Sequence, residues 1–214
     1  MGSNPDELRR QTAAAAPVAG VVLAAGSSRR MGCPKQLLPF RGKPLLAHVV
    51  ASARDAGLQP VVVVLGHGAA RVRREVDLSD TRVTINPDYR RGQSTSLIRG
   101  LAALPPACPA ALFLLGDQPL VTPGLIARVL AGYRRNLAPV VVPTFRGRRG
   151  NPVLIDRSLF PRLGTLSGDV GARGLLREYA GRIEWVAVAD PGIHLDVDTW
   201  QDYQDLKALE TRFP

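Results

Sequence analysis

Short runs of apolar residues, most of them ended by glycine, proline or asparagine, alternate along the chain with stretches whose apolar residues recur at helical spacing. The runs have the length and composition of buried strands, and the stretches between them are typical of helices. The predicted strands are residues 18–25, 60–65, 82–85, 110–115, 139–142, 152–155 and 183–188. The predicted helices lie at residues 45–57, 69–76, 123–134 and 170–179, with another after Thr199.

Alternation of strands and helices predicts an α/β fold, because parallel strands need crossover connections. We therefore expect a Rossmann-like three-layer α/β/α sandwich with a mostly parallel sheet. Ligands of such sheets bind outside the carboxyl ends of the strands. Residues 144–151 interrupt the alternation and are typical of a hairpin tip, with a strand returning after Pro152.

The length of 214 residues is that of one domain, which we place at residues 17–214. Residues 1–16 are polar and then alanine-rich, and we expect a disordered leader there. The apolar runs are too short to cross a bilayer, so no membrane partner is expected. Cys33 and Cys108 cannot make a disulfide framework, which favours a cytoplasmic location.

The net charge of +10 raises the question of a nucleic-acid partner. No helix-turn-helix, zinc or aromatic RNA-binding pattern accompanies the charge, and only 5% of residues are aromatic. We therefore expect no nucleic-acid partner. A basic surface also attracts anionic substrates, and this is the interpretation we prefer.

The segment after the first predicted strand changes abruptly to small and basic residues, from Gly26 to Lys35. Backbone N–H groups beyond a strand end form a concavity suited to phosphate oxygens. Arg30 adds a forked donor and Lys35 a compact charge. The segment matches neither GxxxxGK[ST] nor a GxGxxG that opens a helix. It predicts a polyphosphate-binding loop of another kind.

The same segment fits the pattern LAAGxSxRMGxPKxLLP without a gap, from Leu23 to Pro39. In this it resembles the molybdenum cofactor cytidylyltransferases of the MobA-like nucleotidyltransferase superfamily. The resemblance implies a nucleotide-diphospho-sugar transferase-like fold. It also implies catalytic roles for Arg30 and Lys35, which would hold the triphosphate. The residues implied to bind the nucleotide are Leu23, Ala24, Ala25 and Gly26.

A second segment, NPDYRRGQSTSLIRGL at residues 86–101, is similar to the family's NPxxxxGxSxSLxxGL. The resemblance implies that Ser94 and Ser96 contact the base or ribose. Hydroxyls at the start of a helix also cap it, which is the structural alternative. A cap explains one hydroxyl, whereas three stand in succession here.

Acidic residues lie within two further segments that resemble the family. Asp117 follows an apolar strand within LGDQP, and Asp196 lies in the closing DVDTWQDY. Magnesium takes one or two carboxylates together with substrate phosphates. We expect Asp117 and Asp196 to hold Mg²⁺ and Thr199 to cap the last helix. Asp198 is expected to matter less if its partner is that helix. A turn or cap role is the alternative for each Asp alone.

The last two matches concern the acceptor substrate. GRRGNP resembles a GxxGHP-like segment, but Asn151 stands where histidine is frequent, and asparagine cannot titrate. LSGDVGAR resembles LxGDxGAR, which implies that Asp169 faces the pterin; Asp169 could also cap the next helix. Asn151 and Asp169 are thus the predicted substrate-binding residues. Arg146, Arg148 and Arg149 are either a solvated tip or an anion clamp.

The resemblance implies Mg²⁺-dependent transfer of CMP from CTP to molybdenum-molybdopterin, with release of pyrophosphate. The implied partners are CTP, a molybdopterin-type substrate, and a molybdoenzyme or its chaperone. Three alternatives remain open: guanylyl or other nucleotidyl transfer on the same fold, a pyridine-nucleotide-dependent reductase, and a non-catalytic cofactor-binding protein.

Overall fold

The computed structural model describes residues 16–165, 168 and 173–212. The strands are β1 (Ala19–Ala24), β2 (Pro39–Phe40), β3 (Lys43–Pro44), β4 (Val61–Leu65), β5 (Arg82–Ile85), β6 (Ala110–Leu115), β7 (Val140–Phe145), β8 (Arg148–Arg149), β9 (Val153–Asp156) and β10 (Ile183–Ala187). The helices are α1 (Leu45–Asp55), α2 (Ala69–Glu75), α3 (Gln93–Ala102), α4 (Pro123–Asn136), α5 (Phe160–Leu163), α6 (Arg173–Glu178) and α7 (Trp200–Arg212). The predicted leader lies almost wholly outside the described residues.

An eight-stranded sheet carries the fold, in the order β10-β7-β9-β6-β1-β4-β5, with β8 paired to β7. Strands β6, β1, β4 and β5 run parallel, as the alternating pattern predicts. β9 is antiparallel to both β6 and β7 and separates them. The prediction of a mostly parallel sheet is therefore confirmed, with two reversed strands, β8 and β9, in the region of the predicted hairpin.

The two faces of the sheet bury separate clusters of apolar side chains. Alternate residues of β1 show the division, because Val22 packs into one cluster and Val21 into the other. A strand covered on both faces contains a continuous apolar run, which is why the sequence pattern located these strands. Amphipathic helices α1 and α4 cover one face, and α3 covers the other.

A third, smaller cluster joins the segment that follows β1 to the C-terminal helix α7. Met31 and Phe40 pack there against Leu206 of α7. The Tyr203 hydroxyl donates to the Pro39 carbonyl oxygen at 2.6 Å, and Glu210 accepts from the Arg41 backbone N–H. α7 thereby fixes the β2–β3 hairpin and, through it, the loop from Gly26 to Pro34.

Candidate nucleotidyl-transfer site

A cleft of about 760 Å³ opens at the carboxyl ends of β1 and β6. This is the edge at which ligands of parallel sheets bind. The predicted residues that line it are Leu23, Ala24, Ala25, Gly26, Arg30, Lys35, Ser96, Asp117, Asn151 and Asp196. The sequence prediction thus brought together residues from five separate segments of the chain.

The loop after β1 is held in shape by its own backbone. The Ser28 carbonyl oxygen accepts from the N–H groups of Met31 and Gly32, and Ser28 Oγ accepts from the Lys35 N–H at 3.2 Å. Ser28 and Gly32 both have positive φ, at 49° and 70°. This turn carries the chain back over the end of β1 and delivers Lys35 into the cleft.

Gln36 is a site residue that the sequence analysis missed. Its side chain is buried, and Nε2 donates to the carbonyl oxygens of Ala24 at 2.9 Å and Gly26 at 3.3 Å. These bonds satisfy carbonyl groups at the end of β1 and fix the start of the loop. A polar residue directly before the apolar pair Leu37-Leu38 is the signal that could have identified it.

Lys35 lies between two carboxylates on the floor of the cleft. Nζ forms ion pairs with Asp117 Oδ2 and, at 2.7 Å, with Asp198 Oδ1. Burial alone would lower the pKa of Lys35, but Asp117 and Asp198 outweigh burial and raise it. Lys35 is therefore a fixed positive charge, held in place by two segments far apart in sequence.

Asp198 has partners that the sequence analysis did not foresee. A partner in the following helix would have made it less important, but its side chain binds Lys35 and, at 2.7 Å, Arg30 Nη2. Burial opposes the charge of Asp198, yet bonds from Lys35 and then Arg30 dominate and lower its pKa. Thr199 does cap α7, as predicted: Thr199 Oγ1 accepts from the Asp202 N–H, and Asp202 accepts from the Thr199 N–H.

Asp117 has the chemistry of a metal ligand. Burial raises its pKa, Lys35 opposes that rise, and the charges of Asp196 and Asp198 add to it. Its second oxygen, Oδ1, is buried and has no hydrogen-bond partner among the described residues. An unpaired buried carboxylate oxygen is costly. A divalent cation with phosphate ligands would satisfy it.

The carboxylates do not form a complete metal site by themselves. Within residues 16–165, 168 and 173–212 there is no group of three or more His, Cys, Asp or Glu side chains placed to hold an ion. Asp117 and Asp196 line one cleft, and the charge of Asp196 contributes to the raised pKa of Asp117. This donor set fits Mg²⁺ bound mainly through a nucleotide's phosphates, with one or two protein carboxylates.

The hydroxyl segment before α3 divides into residues inside and outside the cleft. Ser96 lines the cleft, and its Oγ accepts from Asn86 Nδ2 at 2.9 Å. Ser94 is 1% exposed, does not line the cleft, and its Oγ has no partner among the described residues. Two residues along a helix is about 200° of rotation, so Ser94 and Ser96 face different ways. Ser96 thus lies at the cleft, whereas Ser94 does not line it in this structure, and contact of either residue with a nucleotide stays a prediction.

Another part of the cleft lining comes from the end of β8 and the turn that leads to β9. Arg149, Gly150 and Asn151 line the cleft there. The Asn151 N–H donates to the Ile193 carbonyl oxygen, and a Cβ on Gly150 would lie 2.5 Å from that same oxygen. Only glycine permits this approach, which places Asn151 at the cleft. Asp169, the other predicted substrate-binding residue, lies outside the described residues.

Comparison with known proteins agrees with this geometry. A family model described as the MobA-like NTP transferase domain matches residues 20–183. The chain belongs to this family. As a MobA-like protein it is a nucleotidyltransferase, in a family where a nucleoside triphosphate substrate and divalent metals are common. The sequence-based family assignment and the expected nucleotide-diphospho-sugar transferase-like fold are both confirmed.

Individual MobA-like relatives cover nearly all of the chain. Nicotine blue oxidoreductase of Paenarthrobacter nicotinovorans is 34% identical over 189 residues, which is 85% of this chain and 92% of that protein. The crystal structure of Rv0371c from Mycobacterium tuberculosis H37Rv has a TM-score of 0.84 at 36% identity, covering 91% of this chain and 98% of that one. A complex of Rv0371c with manganese has a TM-score of 0.79 at 33% identity, over 90% and 99% of the two chains.

A nucleotidyl transferase from Methanothermobacter is more distant, with a TM-score of 0.79 at 25% identity over 92% of this chain and 99% of that chain.

No helix in the part of the chain that the structure describes is long and apolar enough to cross a membrane.

Proposed function

We propose that this MobA-like protein transfers CMP from CTP to the terminal phosphate of molybdenum-molybdopterin, with Mg²⁺ as the metal. The observation that carries the proposal is the arrangement of Lys35 between Asp117 and Asp198 on the floor of the cleft. It combines a buried cation with carboxylates beside a loop of the family's phosphate-binding pattern. Positioning and charge stabilisation are what nucleotidyl transfer asks of a protein.

The proposed reaction needs no covalent intermediate. An oxygen of the acceptor's phosphate bonds to the α-phosphorus of CTP, and the bond from that phosphorus to the bridging oxygen of pyrophosphate breaks. Mg²⁺, when bound, would neutralise phosphate charge, with Asp117 and Asp196 as its protein ligands. Lys35 and Arg30 then stabilise the charge that develops on the phosphates.

In the structure, Lys35 and Arg30 are neutralised by carboxylates. Phosphate oxygens bound in the cleft compete with Asp198 for both cations. Asp198 is therefore proposed as a group that keeps Arg30 and Lys35 in place before the nucleotide arrives. The Arg30 side chain is 65% exposed, whereas the Lys35 side chain is 13% exposed. Arg30 therefore moves more readily than Lys35.

The preference for CTP rests on the LAAG form of the β1 end. Ala25 lines the cleft and is only 4% exposed. Its carbonyl oxygen accepts from the His67 N–H, and a Cβ on Gly66 would lie 2.9 Å from the Ala25 Cβ. The methyl group of Ala25 thus occupies a tightly filled place next to the proposed base site. Guanylyl relatives tend to have glycine there, which we interpret as more room for the larger purine.

The test is release of pyrophosphate by the purified protein with Mg²⁺, molybdenum-molybdopterin and each of the four nucleoside triphosphates. We expect release with CTP well above release with GTP, ATP or UTP, and formation of the cytosine dinucleotide. Equal or greater release with GTP would move the protein to guanylyl transfer. Specific binding of CTP without release would make it a cofactor-binding protein.

A second candidate function follows from the similarity to nicotine blue oxidoreductase across 85% of this chain. Oxidation of NADPH in the presence of nicotine blue would identify such a reductase. We expect none, because a pyridine dinucleotide usually binds at a GxGxxG strand-to-helix turn, and the loop after β1 has a different sequence.

A further inference from the structure

A second cavity, of about 800 Å³, lies at the opposite edge of the sheet from the cleft. It is formed where the chain enters β1, β4, β5 and β6, and by the last turn of α1. The nucleotide cleft lies where β1 and β6 end, so the length of the strands separates the two. The cavity is therefore no part of the proposed transferase site.

The lining of this cavity has the character of a small-molecule site. Most of it is apolar, with Leu58, Val61 and several prolines. Arg54 and Arg82 bring positive charge, and Asp80 is the one acidic residue among those that line it. Ligand pockets of a few hundred to about a thousand Å³ commonly combine apolar walls with a few charged groups.

Arg54 has donors that nothing in the described chain uses. Its Nε and Nη2 atoms are buried and have no hydrogen-bond partner among the described residues. The nearest ion pair is from Nη1 to Asp80 Oδ2 at 3.9 Å, which is too long for a hydrogen bond, and the Asp80 side chain is 81% exposed. Buried guanidinium nitrogens are normally hydrogen-bonded, because the uncompensated loss of water is costly.

We propose that this cavity binds a small organic anion, with its carboxylate or phosphate on the Arg54 guanidinium and its apolar body against Leu58 and Val61. Nε and Nη2 are closed to water in the unliganded chain, so the guanidinium turns toward the cavity when the anion binds. These two donors are adjacent on the guanidinium edge and suit the two oxygens of one oxyanion. Arg82 adds a second positive charge at the same cavity. The anion satisfies both buried donors, which exposed Asp80 does not.

The test measures the melting temperature of the full chain with inorganic phosphate or sodium benzoate, each against sodium chloride at equal ionic strength. Phosphate tests the headgroup alone, and benzoate tests a carboxylate with an apolar body. A ligand at about ten times its Kd should raise the melting temperature by about 3 °C or more. A rise with phosphate shows that the site takes a phosphate headgroup without an apolar body, and a rise confined to benzoate shows that it takes a carboxylate with an apolar body.

Three variants locate the effect. Arg54→Gln should abolish the rise, and Ala107→Trp should do the same by filling the cavity from an exposed loop position. Lys35→Gln, in the other site, should retain the rise. Asp80→Asn should increase it, because a competing negative charge is removed.

Loss of the rise in Lys35→Gln together with its survival in Arg54→Gln would overturn the proposal, since the anions would then bind in the nucleotide cleft. Absence of any rise with either anion would overturn it as well.

Discussion

At the carboxyl edge of the sheet Lys35 lies between Asp117 and Asp198, whereas at the amino edge two nitrogens of Arg54 are buried without a hydrogen bond. Both cations are largely removed from water. The charge of Lys35 is balanced by two carboxylates of the chain, whereas two nitrogens of Arg54 have no hydrogen-bond partner among the described residues. A compensated cation is held firmly, but its ligand must displace a carboxylate. An uncompensated cation binds an anion without displacing a carboxylate, and its missing hydrogen bonds destabilise the unliganded fold.

This difference has a consequence for mutation. At the carboxyl edge Lys35 is bound to both Asp117 and Asp198, and Asp198 is also bound to Arg30, so a substitution in this cluster takes a bonded partner from another charge. At the amino edge a substitution removes a charge that had no close partner. Changes at the two edges should therefore differ in their effects on both activity and stability.

The largest effect is expected for Asp117→Asn. The change removes the proposed metal ligand and the carboxylate of the most buried ion pair while keeping the shape of the side chain. Turnover should fall by about a hundredfold or more, measured as Mg²⁺-dependent pyrophosphate release. Asp205→Asn, on the exposed surface of α7, is the matched control and should retain activity. Comparable turnover in the two variants would remove Asp117 from the site.

Lys35→Met should reduce turnover by about tenfold or more and should also destabilise the fold. Without Lys35, Asp117 is a buried carboxylate next to Asp196 and Asp198, and breaking a buried pair costs about 3–5 kcal/mol. Thermal melting should show this loss at pH 7.5 and a smaller loss as the pH is lowered, because burial raises the pKa of Asp117 and protonation removes its charge.

Arg54→Met is the matching change at the amino edge, and it should lower the melting temperature far less than Lys35→Met. A similar loss in the two variants would contradict the distinction between the two edges.

Arg30→Ala, at the exposed end of the cluster, should reduce turnover less than Lys35→Met while leaving the melting temperature unchanged.

Asp198→Asn should have an intermediate effect, with turnover reduced by about three- to tenfold, because Arg30 and Lys35 lose a common partner. Asp196→Asn tests the other carboxylate of the pair. If Asp196 is the second metal ligand, its variant should need more Mg²⁺ for half-maximal turnover, whereas Asp198→Asn should keep the wild-type requirement. The opposite result would exchange the two roles.

The pH dependence of stability gives an independent reading of Asp198. Its pKa in the folded protein is below the ordinary value of 3.8, so the ionised form stabilises the fold above that pH. This contribution is lost as pH falls through the lowered pKa. The difference in melting temperature between the wild type and Asp198→Asn should be constant from pH 5 to 7 and should shrink below about pH 4.

The smallest effect is expected for Ala25→Gly. Removal of one methyl group should relax the proposed base site and shift the ratio of CTP to GTP turnover toward GTP by up to about tenfold. Competition between the two nucleotides in one reaction measures the ratio directly. An unchanged ratio would show that Ala25 does not select the base.

Local sequence patterns predicted most strands to within one or two residues. β6, for example, is an apolar run bounded by Pro109 and Gly116, and its predicted and observed limits coincide. The insertion of β9 between β6 and β7 was not predicted, because strand order depends on contacts between distant segments. The short β2–β3 hairpin and α5 have too few residues to show a period.

The site was predicted as a set of residues but not as a set of bonds. Motifs correctly placed Arg30, Lys35, Asp117 and Asp196 at one cleft. The pairing of Lys35 with Asp198 joins residues 163 positions apart, and no local pattern distinguishes Asp196 from Asp198 at such a distance. The motif also did not separate Ser96, which lines the cleft, from Ser94, which does not, since a motif match does not specify which side of a helix a residue occupies.

The contact of α7 with the β2–β3 hairpin has a consequence for the order in which the molecule folds. Lys35 and Asp198 can meet only after nearly the whole intervening chain has collapsed, and such non-local contacts form late and slowly. Until α7 docks through Tyr203 and Leu206, Lys35 has Asp117 but lacks Asp198. The nascent protein should therefore acquire its packed sheet before its cleft, and protection of the Lys35 amide from hydrogen exchange should appear after that of β1.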